Sequence, residues 1–398
     1  MSGDAHHTPL SGSLSLEELP MEEDRTAPYA MLRDAGPVVR LKNGGFVVTT
    51  REGADHVLRN PEVFSSEQAF ATLGSPVPLL PIASDPPAHT RYRRILQPFF
   101  TPRTAARLER SSREQVNSLI DRIVGKDSCE VVAELARPFP ADVFLMLFGL
   151  PLEDRERLLA WKDAIVDFAD LSGSAEPPPQ VMESAQQLFE YVAAHVAACR
   201  SGDGSGLLAE MFADTEDDPL SDTEALGLCF LFIIAGIGSV TSALSLMFAK
   251  LAADPGLQSR VAEDPSIIPD VTEEMLRIDP ANCVLPRVAT RDVELYGHHI
   301  PAGSNVGVAL GAANRDPAEL DDPDVFDAER AYNHLTFGGG PHRCVGIHLA
   351  RMEFAVVLEE WHRRMPPYRL APGHTPRVTW PSGVVGLDTV PLVFPKET

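Results

Sequence analysis

The chain contains 398 residues, of which 44% are hydrophobic, and its formal net charge is −23 at pH 7. This length allows a large buried core and lies between one large domain and two or three ordinary ones. The strong negative charge disfavours nucleic acid as a partner, because there is no basic surplus to release counterions from phosphates.

The pattern along the chain indicates one domain over residues 1–398. No Ser/Gly linker, repeat or low-complexity tract divides the sequence, and "SGSAEPPPQ" (172–180) is short enough to connect two helices. The N-terminal segment 1–25 is polar and acidic and has no basic region followed by an apolar one, as a secretory signal would. We therefore expect a cytoplasmic protein.

The predicted elements begin with a β-hairpin. In "PVVRLKNGGFVVTT" (37–50), two β-branched runs flank an Asn-Gly pair, which predicts two strands joined by a primed turn. From residue 101 to about 280, apolar residues recur at three- and four-residue spacing, with caps and prolines between segments, which predicts helices. Strand patterns return at 292–310 and 383–394. The expected fold class is mainly α with small β-sheets (α+β).

The segment "ALGLCFLFIIAGIGSVTSALSLMFA" (225–249) carries no charge and is long enough, as a helix, to cross a bilayer. We interpret it instead as a long helix through the centre of a large soluble domain. Its middle, "AGIGSVT", concentrates small and hydroxyl-bearing residues that let another body approach the backbone, and a lipid-facing span has no need of them.

The five cysteines are odd in number, far apart and without a CxxC pair, which argues against a disulfide framework and a zinc site. Cys129, Cys199, Cys229 and Cys283 are predicted to be small buried side chains. Cys344 differs because it lies in "FGGGPHRCVG" (337–346), among glycines and two potential cations that favour a thiolate.

Two further patterns are weak when each is taken alone. "TEEMLRIDP" (272–280) places Glu274 and Arg277 on one helical face, at the spacing of an ordinary surface ion pair. "DPPAHTRYRR" (85–94) places His89 and Arg93 four residues apart on a predicted helix, where both would ordinarily be solvated.

Together and in this order, the pieces resemble the cytochromes P450 in their soluble bacterial form, over essentially the whole chain. The resemblance implies haem b (iron protoporphyrin IX) buried between the long central helix and the cysteine loop, with Cys344 as the proximal iron ligand. It also implies that Glu274 and Arg277 form a buried ion pair completed by an arginine before the loop, here Arg330 in "FDAER".

The same resemblance implies which residues contact the cofactor. The loop glycines would pass close under the macrocycle, Phe337 would pack on it, and the helix after Cys344 would stabilise the thiolate through its positive end. The expected propionate partners are His89, Arg93, Arg287 and His342, and the other expected haem contacts are Phe337, Gly338, Gly346, Ala235 and Gly236.

The central helix departs from the family's pattern of A/G-G-x-Asp/Glu-Thr. Gly238 stands where the family has its acid and Ser239 where it has threonine, so the catalytic candidates are Ser239, the Gly238 position and Thr241 as an alternate. We favour ordered water or a polar group of the substrate as the proton source. Use of peroxide, an oxidation such as dehydrogenation or coupling, and a glycine that simply makes room for a bulky ligand are the alternatives.

The segments that would form the substrate pocket by resemblance are almost entirely apolar. They predict a lipophilic substrate of modest size, such as a terpenoid, steroid, fatty acid or polyketide-like molecule of secondary metabolism. Each side chain could equally belong to the core. The pocket candidates are Leu79, Leu80, Ile82, Ile234, Val284, Leu285, Val384 and Val385.

Electrons are expected from a separate ferredoxin or flavodoxin-type protein, because no G-x-G-x-x-G motif opens a βαβ unit and the length leaves no space for a reductase domain. We expect a monomer. A group of arginines near the propionate helix either steers an acidic ferredoxin or forms a solvated helix face. These are Arg91, Arg94, Arg103, Arg107, Arg110 and Arg113.

The predicted function is a haem-thiolate monooxygenase that activates O2 to oxidise a lipophilic small molecule. A haem-binding sensor without turnover is an alternative, motivated by the missing acid. A non-haem protein with a nucleophilic cysteine is another, although the sequence shows no histidine–acid pattern to support it.

Overall fold

The computed structural model describes residues 14–67, 69, 77–168, 178–214 and 218–395. Helices dominate it, as the periodicity from 101 to about 280 predicted. The α-helices in this part of the chain are α1 (Thr26–Asp34), α2 (Arg51–Arg59), α3 (Ala88–Leu96), α4 (Pro102–Ile120), α5 (Pro138–Phe148), α6 (Arg155–Phe168), α7 (Pro179–Ser201), α8 (Leu207–Asp214), α9 (Asp222–Leu231), α10 (Gly238–Ala253), α11 (Pro255–Glu263), α12 (Ile268–Ile278), α13 (Leu310–Ala313) and α14 (Ile347–Arg364).

Within the described residues, the strands form three small sheets. They are β1 (Val38–Arg40), β2 (Phe46–Val48), β3 (Phe64–Ser65), β4 (Ser128–Glu130), β5 (Val284–Ala289), β6 (Val293–Leu295), β7 (His298–Ile300), β8 (Asn305–Ala309), β9 (Arg369–Leu370) and β10 (Pro391–Val393). The first sheet has the order β1-β2-β8-β5-β3, with β2 and β8 parallel and the other pairs antiparallel. The second has the order β4-β10-β9, and β6 pairs with β7 in the third. Helices with small sheets confirm the predicted fold class.

The predicted hairpin exists, but its turn is wider than a primed turn. Arg40 pairs with Phe46, so the loop spans 41–45 rather than the Asn-Gly pair alone. A type I′ turn needs positive φ at both central residues, and of this pair only Gly44 has it, at +87°. Of the segment 383–394, only Pro391–Val393 is a strand.

The apolar segment 225–249 lies within one continuous helix, in which a π-helical stretch (Phe232–Ile237) joins α9 to α10. Ser221 and Glu224 form a capping box at its start. By length and composition this helix could cross a membrane, and it is the one helix in the described ranges that could. Core helices of soluble proteins meet the same criterion, and Leu244, Phe248 and Leu251 are completely buried here.

The core that positions the site lies where α10, α12 and α14 converge. Phe248 of α10 packs edge-on against Trp361 of α14, with ring centroids 5.0 Å apart. The same cluster extends to α4, α5 and the C-terminal strand β10. Most of the predicted connector 172–180 lies outside the described residues, and α7 begins at its end, at Pro179.

Candidate functional site

The glycine-rich loop crosses α2 at very short range. Gly338 and Gly340 have φ angles of +70° and +61°, a conformation that side chains rarely adopt. A Cβ on Gly340 would lie only 2.1 Å from the carbonyl oxygen of Leu58 in α2. At Gly340, therefore, contact within the protein is sufficient to require glycine.

Two side chains that the sequence analysis missed hold this loop on α12. Thr336 donates from its hydroxyl to the carbonyl of Leu276 (2.6 Å). Asn314, which is completely buried, donates to the Thr336 hydroxyl (3.0 Å) and accepts from the backbone N–H of Leu335 (2.6 Å). The backbone N–H of Cys344 then donates to the carbonyl of Phe337 (2.8 Å), which closes the loop.

Glu274 and Arg277 form a buried pair, unlike the surface pair that their spacing alone would indicate. The guanidinium of Arg277 donates to both carboxylate oxygens, at 2.7 and 2.8 Å, and both side chains are almost fully buried. Arg277 also donates to the carbonyls of Asn314, Pro323 and Val325. Arg330 Nε lies 3.4 Å from Glu274 Oε1, so the arginine named from the sequence does complete the cluster.

Cys344 ends the loop three residues before α14 begins at Ile347, and protein atoms surround its sulfur although the residue as a whole is exposed. Burial in the surrounding protein raises the pKa of its thiol, although the Gly346 N–H and nearby Arg93, Arg343 and Arg351 oppose that effect. The prediction that these surroundings favour the thiolate is therefore wrong for the thiol by itself. A coordinated metal ion would supply the missing stabilisation, because metal binding deprotonates a thiol.

The four predicted propionate partners come together from three separate segments. His89 and Arg93 lie on α3, Arg287 on β5, and His342 in a 3-10 turn of the loop. The His89 and His342 ring centroids are 3.9 Å apart, and the Nε2 atom of each is buried and has no hydrogen-bond partner in the described ranges. Arg93 donates to the carbonyl of Arg343 (2.8 Å), and Arg287 donates to that of Pro286 (2.7 Å).

These four groups act on one another, and the carboxylate of Asp85 acts on His89 and Arg287 from beyond ion-pair distance. Burial lowers the pKa of Arg287 to about 10. Burial together with the neighbouring arginines lowers the pKa of His89 to about 4, and the same causes, with His89, lower that of His342 to about 3. Both imidazoles are thus neutral at pH 7, and no described carboxylate forms an ion pair with Arg93 or Arg287. The two arginines therefore carry a charge of +2 with no ion-pair partner among the described residues, where the two imidazole Nε2 atoms also have no hydrogen-bond partner.

The centre of the long helix is open where the sequence has small residues. Ala235 and Gly236 are exposed, although Ile233 and Ile237 beside them are buried. The hydrophobic cluster that contains these isoleucines also packs against Val345, the neighbour of Cys344. The small residues of the central helix and the end of the cysteine loop thus both lie next to the same apolar cluster.

Gly238 has an ordinary helical backbone (φ −63°, ψ −45°), and a Cβ added there would meet nothing within 4 Å. Space for an acid is therefore available, and the sequence does not use it. The Ser239 hydroxyl donates to the carbonyl of Ala235 (2.8 Å), and the Thr241 hydroxyl donates to that of Ile237 (3.1 Å). Both hydroxyls retain lone pairs that can accept a hydrogen bond.

The apolar pocket candidates divide into two groups. Leu79, Leu80 and Val385 are buried in hydrophobic clusters, so the core interpretation holds for these three. The others are partly accessible: Ile82, Ile234, Val284, Leu285 and Val384. Leu285 comes close to the loop, with its Cδ1 3.6 Å from the Cβ position of Gly338.

Most arginines of the proposed electron-partner group have carboxylate partners of their own. Arg91 pairs with Asp218 and Glu224, Arg94 with Asp218, and Arg113 with a set of glutamates that includes Glu360. Arg107 and Arg110 pair with Glu210 and Glu114. Only Arg103 has no acidic partner in the described part of the chain. This pairing favours the solvated helix face over a steering patch.

The remaining four cysteines are buried, as predicted. Cys199 lies 3.6 Å from His195 Nε2 one turn earlier on α7, and Cys283 accepts a hydrogen bond from the Tyr29 hydroxyl at 3.2 Å. Burial raises the pKa of each of these thiols.

Comparisons with known proteins agree with this geometry. The family model described as "Cytochrome P450" matches residues 29–363. The chain belongs to the cytochrome P450 family. It is 33% identical to the probable cytochrome P450 127A1 of Sinorhizobium fredii, over 93% of this chain and 90% of that one. It is 30% identical to the steroid C26-monooxygenase of Mycobacterium tuberculosis, over 92% and 93% of the two chains.

A solved structure of similar shape is that of the myxobacterial P450 CYP267B1 in complex with myristic acid, with a TM-score of 0.85 and 29% identity over 96% of this chain and 99% of that one. Membership of the family makes this protein a P450 monooxygenase whose cofactor is haem b. The residues described fit that cofactor, because a haem carries two propionate anions and the cluster of His89, Arg93, Arg287 and His342 carries two unpaired positive charges.

Proposed function

We propose that Cys344 is the proximal haem ligand of this P450 and that His89, Arg93, Arg287 and His342 hold the two propionates. The observation that carries the proposal is the +2 cluster, which forms no ion pair with a carboxylate of the described chain, since Asp85 acts on His89 and Arg287 only from a greater distance. Burying such charges is costly unless an anion pairs with them. Phe337, Gly338 and Gly346 would contact the haem from the loop, and Ala235 and Gly236 would contact it from the central helix.

We propose a lipophilic substrate of modest size, in the range from terpenoids and steroids to fatty acids and polyketide-like molecules. The partly accessible residues at the site are apolar, and burial of apolar area would dominate binding. The relatives support this range, because one is named a steroid C26-monooxygenase and one solved structure holds myristic acid. We place the reaction of this protein in secondary metabolism.

When bound, haem supplies the redox chemistry that activates dioxygen. The protein's own groups would position the substrate and move protons. Ser239 would accept a hydrogen bond, since its proton is held by the carbonyl of Ala235, and Thr241 is bonded in the same way one half-turn further on. With glycine at 238, an ordered water or a polar group of the substrate would deliver the proton.

The electrons would come from a ferredoxin or flavodoxin-type protein in the cytoplasm, acting on a monomer that forms one domain. Because the arginines on α3 and α4 are largely paired with carboxylates, we place the docking face nearer to Cys344. Arg343 is exposed and acts electrostatically on that thiol. An acidic partner protein would be drawn to this side.

A second candidate is an oxidation that does not depend on proton delivery from an acid, such as coupling, dehydrogenation or a peroxide-driven reaction. The open space beside Gly238 favours it, because a side chain would fit there and none is present. A haem-binding sensor without turnover is the third candidate.

The decisive experiment is the spectrum of the reduced protein with carbon monoxide, compared with that of Cys344→Ser and of the control Cys129→Ser. We expect the strongly red-shifted Soret band of thiolate ligation in the wild type and in Cys129→Ser, and its loss in Cys344→Ser. An unchanged band in Cys344→Ser would refute the assignment. Turnover of lipophilic compounds with a surrogate ferredoxin system, and separately with peroxide, then distinguishes the three candidate functions.

A further inference from the structure

The ring of Phe337, the first residue of the cysteine loop, is flanked by two basic side chains. The guanidinium carbon of Arg351 lies 5.1 Å from the ring centroid, within the range of a cation–π contact. The imidazole of His334 packs on the ring at a tilt of 32°, with centroids 5.8 Å apart. His334 is buried, so its position is fixed by packing.

One carboxylate, that of Glu273 on α12, connects both of these side chains. It accepts two hydrogen bonds from Arg351, at 2.7 and 2.5 Å, in the bidentate geometry that fixes a guanidinium plane. Its Oε2 atom also lies 3.3 Å from His334 Nε2, outside hydrogen-bond geometry but within electrostatic contact. Glu273 is the neighbour of Glu274, yet it takes no part in the buried pair with Arg277.

The arrangement joins three elements around Cys344. Glu273 belongs to α12, His334 to the segment before the loop, and Arg351 to the second turn of α14, which follows the cysteine. Phe337 is in turn bonded to Cys344 through its carbonyl. Side chains that hold the Phe337 ring in place therefore also restrain the position of Cys344, the residue that would bind iron.

We propose that Glu273, His334 and Arg351 are positioning residues that hold Phe337 in the cysteine loop and, through the balance of their charges, set the reduction potential of the haem. The proposal rests on Cys344 as the haem ligand. Groups that contact a ligating residue and charges around a ligating sulfur tune the metal in this way.

The charges predict opposite effects for the two partners of the ion pair. A positive charge near the ligand favours the reduced cofactor, which carries one more electron, and a negative charge disfavours it. Arg351→Gln leaves Glu273 without its guanidinium partner and should lower the potential. Glu273→Gln leaves the guanidinium of Arg351 unopposed and should raise it.

The test is spectroelectrochemical titration of the haem-loaded protein, which needs no substrate and no electron-transfer partner. We expect the ratio of reduced to oxidised haem at a fixed applied potential to fall about tenfold in Arg351→Gln and to rise about tenfold in Glu273→Gln, which is ~59 mV each way for a one-electron couple. The double variant Glu273→Gln/Arg351→Gln restores the net charge and should return to within a few-fold of wild type.

Two further variants and two control variants separate position from charge. Arg351→Lys keeps the charge but loses the planar contact with Phe337, so it should rescue most of the potential shift of Arg351→Gln while changing the Fe–CO stretching frequency. His334→Phe should also change that frequency, because a ring of similar shape cannot interact with Glu273. Glu18→Gln and Lys42→Gln remove the same charges from an exposed pair near the N-terminus and should leave the potential unchanged.

Shifts of the same sign in Arg351→Gln and Glu273→Gln, or no shift in either, would overturn the proposal, because a merely structural role would expose the haem in both variants alike. If Arg351→Gln fails to fold, Glu273→Gln decides the question: a raised potential supports the proposal, and an unchanged or lowered potential overturns it. A wild type that lacks the red-shifted carbonyl band would refute the haem-thiolate assignment itself. A normal band with unresponsive potentials refutes only the role of this group.

Discussion

Arg287→Met should weaken haem binding by an amount that can be worked from the burial of Arg287. This side chain is only 4% exposed, and its one hydrogen bond in the described chain is to the carbonyl of its neighbour, Pro286. Burial holds its pKa at about 10, roughly 2.5 below the usual value, and at 1.36 kcal/mol per pKa unit this corresponds to about 3 kcal/mol. A propionate beside the guanidinium would offset that cost.

Removing Arg287 removes this favourable pairing, which for a charge-assisted hydrogen bond is independently worth about 1.5–3 kcal/mol. Haem affinity should therefore fall by a factor between about ten and about a hundred. The assay is the rate of haem transfer to an excess of apomyoglobin. Arg291→Met, an exposed arginine just after β5, is the matched control and should leave the rate unchanged.

A cofactor variant sharpens the test. Esterified haem has no propionate charges, so esterification should weaken its binding to the wild type but have a much smaller effect on Arg287→Met. The two changes should thus be strongly non-additive, as for two partners of one interaction. Fully additive losses would refute the reasoning that Arg287 is buried in order to meet a propionate.

The other predictions concern the central helix, the buried ion pair and an unpaired acid. Gly238→Asp fits into open space and should raise the fraction of electrons recovered in product rather than in hydrogen peroxide; an unchanged fraction would count against a missing acid. Arg277→Leu leaves the Glu274 carboxylate unpaired in the core and should lower the free energy of unfolding by about 3–5 kcal/mol. The readout is the yield of soluble protein that shows the carbonyl band, and a normal yield would contradict a structural role. Burial raises the pKa of Glu353 well above its usual value, so wild-type stability should fall as pH rises past about 4.3. Glu353→Gln should therefore gain urea resistance relative to wild type between pH 5 and pH 8, and a relative loss would refute a neutral Glu353.

The sequence was sufficient for the family and for the contacts that lie within a short motif. The loop at 337–346, the Glu274–Arg277 spacing and the His89–Arg93 spacing each lie within one element, so the local pattern carries the information. Their resemblance to one family also placed Arg330 beside Glu274, a contact that the structure contains at 3.4 Å. Helix periodicity predicted the long central helix for the same reason, since it is a local property.

Contacts between distant segments could not be read in this way. Asn314 and Thr336 anchor the cysteine loop across 22 residues, and Glu273 reaches Arg351 across 78 residues. No local pattern marks any of these four as special. In sequence, a buried asparagine looks like an exposed one, and two charged residues that pair across the fold look like two solvated ones. The ionisation of Cys344 was predicted wrongly for a related reason. Neighbouring cations were visible in the sequence, but the burial that outweighs them was not.

Some arginines of this acidic protein pair with carboxylates and others do not, and this difference is the strongest physical evidence for its cofactor. With 57 acidic residues against 34 basic ones, an arginine is seldom far from a carboxylate, and Arg91 and Arg113 have several. Arg93 and Arg287 have none among the described residues, although burial lowers the pKa of both. The buried Arg287 and the partly buried Arg93 have no ion-pair partner within the described ranges, since Asp85 acts on Arg287 only at longer range, and such an arrangement would cost several kcal/mol in a marginally stable fold. A dianionic ligand bound against them, rather than any residue of the chain, is what balances their charge.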